Sequence, residues 1–170
     1  MENQEMQPKF IPANIGTVSH GTARREDLIE AFTVELEHQM DRNAGWLVDQ
    51  WEYRTDCVDL IWSARESLET DSDMIDPYEY VSELIDKLSE FAPPYCYFGA
   101  HQGDGSDFGF WPDFDAIRDS GDVREFSDLS DVDDNYHGDV LIVNDHGNTT
   151  LYTVELRDRK QTFRELWSIV

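Results

Sequence analysis

The chain has 170 residues, of which 39% are hydrophobic, and carries 37 acidic against 13 basic side chains for a formal net charge of −24. That field repels nucleic acid, anionic membranes and phosphorylated substrates, and it attracts basic surfaces and cations. A chain of this length suits one domain, and five Trp, seven Tyr and nine Phe supply enough bulky apolar area for a core, which argues against wholesale disorder.

No apolar run reaches the 18 residues that a membrane span would need. The opening MENQEMQPKFIPANIG is polar and slightly acidic where a secretory leader starts basic and continues apolar. Two cysteines, Cys57 and Cys96, make neither a disulfide framework nor a metal spacing, so buried thiols in a reducing compartment are expected. The chain reads as cytoplasmic, in a host cell if phage-encoded.

Residues 1–21, broken by Pro8, Pro12, Gly16 and Gly21, read as an irregular N-terminal arm ahead of a single domain over 22–170. From Thr22 to about Met40, Leu28, Ile29, Phe32, Leu36 and Met40 recur at helical spacing. A second helix is predicted from about Gly45 to Leu68. Its wide apolar face, Leu47, Trp51, Val58, Ile61, Trp62 and Leu68 joined by Trp46, Tyr53, Cys57 and Leu60, suggests contact with two neighbours. The third helix has Asp76 as N-cap, Pro77 at the first position and Glu79 where a capping acid belongs; Tyr78, Val81, Leu84, Ile85, Leu88 and Phe91 form its stripe, and Pro93-Pro94 ends it.

After that the period changes. Tyr95–Phe98 and Phe108–Trp111 read as strands around the turn HQGDGSD, followed by a helical turn over 113–119 closed by Gly121 and an acidic loop over 127–138. Val140–Val143 and Thr149–Leu156 form a hairpin across NDHGN, and Phe163–Val170 is a last strand. The expected fold class is α+β, with three N-terminal helices packed on a C-terminal antiparallel sheet of about five strands.

The acids are spaced as regularly as the core residues. Asp76, Glu79, Glu83, Asp86 and Glu90 follow steps of 3, 4, 3 and 4, and Asp49, Glu52, Asp56 and Asp59 follow 3, 4 and 3, with Glu66 rejoining the stripe. Asp27, Glu30, Glu37 and Asp41 make a similar line on the first helix. Such spacing puts a carboxylate about every 5 Å along a helix, of the same order as the roughly 3.4 Å phosphate repeat of a nucleic-acid strand. Ordinary solvent faces mix signs, because like charges three or four apart repel; here Lys87 alone offsets the five acids of the third stripe. From Glu26 to Asp139 there are 31 acids against six bases, while from Val140 onward there are four of each, which speaks against a chain simply acid-adapted throughout. A globule of this size exposes roughly 8,600 Å², so the average density is about threefold below that of a duplex at roughly one charge per 100 Å². Mimicry of nucleic acid therefore needs the carboxylates gathered on one side.

Two turns hold groups that could ligate metal or exchange protons: His101, Asp104 and Asp107 in the first, Asp145 and His146 in the second. The competing reading is that Gly, Asp and Asn stand there for turn geometry. No HExxH, P-loop, GxSxG, EF-hand or Cys/His zinc pattern occurs. The aromatic cluster Tyr95, Tyr97, Phe98, Phe108, Phe110 and Trp111 has no Arg or Lys beside it and reads as core.

The segments YFGAHQGDGSDFGFWP and GDVLIVNDHGNTTLY, with the closing ELWSIV, resemble an uncharacterised family of small acidic proteins from bacteriophages and mobile elements, over roughly residues 17–41 and 75–170. The resemblance implies a mobile-element setting and carries no activity or catalytic residue. Together these readings predict a non-enzymatic, DNA-mimic-type inhibitor without cofactor, directed against a basic DNA-binding host protein such as a restriction, CRISPR or transcription component. Its contact residues would be Asp49, Glu52, Asp56, Asp59, Glu66, Asp76, Glu79, Glu83, Asp86 and Glu90. No direct nucleic-acid or membrane contact is expected, and a homodimer is compatible. The alternatives are a metal-dependent enzyme or ligand-binding protein built on the two turns, and an acid-adapted protein of unrelated role.

Overall fold

A computed structural model describes residues 9–69, 78–158 and 160–169. The chain divides into two compact units, Met1–Ala92 with Phe98–Trp111, and Pro93–Tyr97 with Pro112–Val170. The class is α+β, but among the described residues the strands number seven in two sheets, of three and four, instead of about five in one. The helices are not all N-terminal either, since a short one follows the third strand.

In the first unit, strand β1 (Gly16–His20) leads into helix α1 (Arg25–Arg42), a single turn α2 (Ala44–Leu47), and helices α3 (Trp51–Glu69) and α4 (Glu79–Ser89). Strands β2 (Cys96–His101) and β3 (Asp104–Pro112) complete a sheet of order β1-β3-β2. α1 is the centre. Its buried Leu28, Ile29, Phe32 and Leu36 face α4, α3 and the sheet, with Phe32 edge-on to Phe98 at 4.9 Å and against Phe108 at 5.6 Å. α4 contributes Val81, Leu84 and Leu88, and α3 the buried strip Cys57, Ile61 and Ala64 with the partly buried Tyr53, Leu60 and Leu68 beside it.

Residues 9–21 are not the irregular arm that their Pro and Gly content suggests. The buried Asn43 side chain accepts from Ile11 N–H (2.7 Å) and donates to the carbonyls of Ile11 and Gln39, while Ala13 N–H donates to the Phe91 carbonyl at 2.7 Å. Tied down in this way, the chain enters β1 and pairs antiparallel with β3. The same Asn43 ends α1, which breaks the predicted second helix: a turn over Ala44–Leu47 is followed by a bend, and α3 begins at Trp51. The predicted cap at Asp76 and Pro77 lies outside the described residues.

In the second unit, helix α5 (Phe114–Ser120) is capped by the Asp113 side chain, which accepts from Ala116 N–H, and closed by Gly121 at φ +67°. Strand β4 (Val123–Phe126), absent from the sequence reading, pairs in parallel with β5 (Gly138–Val143). The acidic segment between them is not all loop, since it holds a 3₁₀ turn over Leu129–Asp131 and the buried Val132. β5, β6 (Thr149–Arg157) and β7 (Lys160–Ile169) form an antiparallel run, and Val143↔Thr149 closes the predicted hairpin. Trp167 is buried and donates its Nε1–H to the Pro94 carbonyl at 2.8 Å. Among the described residues, no helix is long and apolar enough to cross a membrane.

Gly109 is where β1 can approach β3: a Cβ there would stand 2.1 Å from the Gly16 carbonyl oxygen, and backbone cannot step aside as a side chain can. Gly109→Ala is therefore expected to cost about 2–3 kcal/mol, read from chemical denaturation. Gly105→Ala, with open space around its Cβ, should stay within about 0.5 kcal/mol. Equal effects would show that β1 does not depend on this approach.

Candidate functional site

The acidic stripes emerge where the cores of α3 and α4 leave them. A helix turns about 100° per residue, so burial of Cys57, Ile61 and Ala64 sends Glu52, Asp56, Asp59 and Glu66 to the far side of α3, and all four are exposed. On α4 the burial of Val81, Leu84 and Leu88 does the same for Glu79, Glu83, Asp86 and Glu90.

The two helices meet at a seam. Lys87, the sole cation of α4, lies over the Tyr53 ring at 4.6 Å and pairs with Glu90 at 3.0 Å. Beneath it the Cys57 thiol is pushed up to about 11, mainly by burial, lowered in part by Lys87 and raised again by Glu90 and Asp56. Carboxylates from both helices thus act on one buried group. Burial likewise raises the Tyr53 hydroxyl, with Cys57 and Glu90 adding to it.

Three of the predicted contact residues depart from this arrangement. Asp49 precedes α3 in the bend, so the stripe starts at Glu52. Glu66 lies on the other flank of α3, lining a groove with Glu37 and Asp41 of α1 and with Glu69. Asp76 lies outside the described residues.

The groove, of about 720 Å³, runs between α1 and α3 and is also lined by Met40, Val58, Ile61, Trp62 and Arg65. Arg65 donates to Glu37 through both Nη atoms (2.7 and 2.9 Å) and to Thr33 through Nε at 3.2 Å. The guanidinium holds the Glu37 carboxyl below its usual range. Trp51, Val58 and Trp62, which the sequence reading placed on a face covered by neighbours, are exposed.

The two turns belong to different units, and in each the polar groups are engaged locally in part. The first is much tighter than HQGDGSD suggests, because β2 runs to His101 and β3 starts at Asp104. His101 Nδ1 accepts from Gly103 N–H, and Asp104 accepts from the N–H and hydroxyl of Ser106 and lies 3.5 Å from His20. Asp107 Oδ1 is shut from solvent without a hydrogen-bond partner. Asp145 and His146 belong to the second unit, where the Asn144 side chain accepts from the N–H groups of His146 and Asn148 and builds the turn. Among the described residues, no three His, Cys, Asp or Glu side chains are grouped so as to hold a metal ion. Neither cysteine is an activated nucleophile: both are free thiols, and burial pushes Cys96 up to about 12.

Comparison with protein-family models, curated proteins and solved structures finds no match.

The raised thiols set an expected outcome. Native protein at pH 8 should react with a disulfide reagent at least a hundredfold more slowly than denatured protein, because both burial and the low thiolate fraction oppose attack. A pKa raised on folding contributes stability below the unfolded value and loses it as pH climbs. Thermal stability should therefore decline from about pH 9 upward, and less steeply in Cys57→Ala. Fast native labelling at Cys57 would contradict the buried seam.

Proposed function

We propose that this chain is a non-enzymatic inhibitor that binds the basic DNA-binding surface of a partner protein, using the α3–α4 carboxylates in place of phosphates. The observation that supports the reading is the packing of α3 against α4: each helix carries an exposed acidic stripe, and the cation of α4 is folded onto Tyr53 instead of standing out among the acids. Glu52, Asp56 and Asp59 on α3, and Glu79, Glu83, Asp86 and Glu90 on α4, each place a charge about every 5 Å along their helix. Rows of negative charge of that spacing suit a groove built for the phosphates of nucleic acid. The phage and mobile-element setting that the sequence resemblance implies favours a host DNA-binding protein as the target. A partner of that kind also agrees with the chain's net charge of −24, which opposes nucleic acid itself as ligand.

The test is displacement. A partner captured from host extract should release fluorescent duplex DNA when the chain is added, and its affinity for the chain should fall about tenfold or more between 50 and 200 mM salt, as charge-steered contacts do. The triple variant Glu79→Lys, Glu83→Lys, Asp86→Lys changes exposed residues only, so it should melt near the parent temperature and lose at least tenfold in displacement. Displacement untouched by that reversal, or binding indifferent to salt, would remove the decoy reading.

A further inference from the structure

α3 presents a third face, neither buried nor acidic. Trp51, Thr55, Val58 and Trp62 follow steps of 4, 3 and 4, a helical stripe of the sort that normally faces a core, and Val48 lies one step before it. Here the stripe faces water: Val48 is 71% exposed, Trp51 68%, Val58 48% and Trp62 63%. The 720 Å³ groove, floored by Val58, Ile61 and Trp62, forms a trough between α1 and α3, and a second depression of about 280 Å³, lined by Leu47, Val48, Trp51, Arg54, Thr55 and Val58, adjoins it at Val58. Exposed tryptophans gathered in a trough are what an interface uses as anchors.

The trough has charged walls. Glu37 and Asp41 stand on the α1 side, Glu66 and Glu69 on α3, and the one guanidinium among the lining residues of the larger groove, Arg65, is held by Glu37 and Thr33. In the larger groove the acids outnumber that cation four to one, and the second depression adds one further cation, Arg54. An occupant must therefore be apolar along its middle and cationic along its edges. The trough is also straight, because it follows α3, whose 19 residues extend about 28 Å.

We infer that the α1–α3 trough is a docking site for an amphipathic α-helix of a partner protein, about 12–18 residues long, with Lys or Arg flanking its apolar face. The apolar ridge of such a helix packs between Trp62 and α1, and its cations meet the walls; this is the helix-in-groove mode of recognition. A second copy of this chain is the weaker occupant, since a two-fold contact would set the same carboxylates against each other. The inference takes from the reading above only that the partner is basic, and it uses a different face.

The probe is an 18-residue Leu/Lys peptide with Leu at i, i+3, i+4 and i+7, titrated into the full chain while the chain's tryptophan emission and the peptide's helical circular dichroism are followed. The expected result is saturable one-to-one binding with a gain in helicity, weakened at least tenfold by Trp62→Ala and, separately, by Asp41→Lys with Glu69→Lys. All three positions are exposed, and unchanged melting shows that the variants are folded; Val58→Ser provides a smaller change at the same strip. Equal binding of a scrambled peptide of the same composition, or of a Leu/Glu peptide with the same pattern, would overturn the inference. So would affinity unaffected by Trp62→Ala, or a dimer formed through Trp62 that leaves no peptide bound. The α4 triple reversal separates the two proposals. At 150 mM salt, where distant charges are screened, it should leave peptide affinity within about threefold. In the unsubstituted chain, peptide binding without DNA displacement discards the decoy and keeps the trough; displacement without peptide binding does the reverse.

Discussion

Phe32 is the contact on which the first unit rests. It sits at the middle of α1, fully buried, edge-on to Phe98 and against Phe108, so one side chain joins the helix to its sheet. Phe98 in turn meets Phe110 at 4.9 Å, extending the aromatic stack across the sheet. Because the sheet and α4 take most of the apolar face of α1, α3 buries fully only Cys57, Ile61 and Ala64, with Tyr53, Leu60 and Leu68 packed partly against the core. A narrow buried strip frees the rest of α3 to carry two unlike surfaces, one acidic and one aromatic.

Like-charge repulsion then shapes what lies outside. Carboxylates three or four residues apart on one helix face cost a few tenths of a kcal/mol per pair, and α4 accepts that cost along its whole length with one lysine to offset it. The lysine is drawn inward by the Tyr53 ring and Glu90. Half-buried against Tyr53 of α3, it moderates repulsion where the helices touch. Arg65 has a matching role on the other flank, tied to Glu37 and Thr33 across the α1–α3 gap. Both cations brace helix against helix.

Much of this could be read from residue order. α1 and α4 declare themselves through periodic Leu, Ile, Val and Phe, and the NDHGN hairpin through its turn chemistry, in which the Asn144 side chain gathers two backbone N–H groups. The break before α3 could not, because its cause is Asn43 binding the backbone of Ile11, 32 residues away. β1 and β4 are short strands whose partners are distant, so pairing and not propensity makes them strands. The two Gly/Asp/His turns looked alike as candidate ligands, yet His101, Asp104 and Asn144 each accept from backbone N–H groups of their own turn.

Residue order alone determined the α+β class, the acidic stripes and their helical spacing, since period and charge sign are properties of neighbours three or four apart. Only the tertiary structure decided which apolar residues of α3 are covered. The sequence pattern gives Trp51, Val58 and Trp62 the same standing as Cys57 and Ile61, and the difference lies in where α1 and α4 run beside the helix. Burial is a relation between distant segments, and no local count of apolar residues contains it.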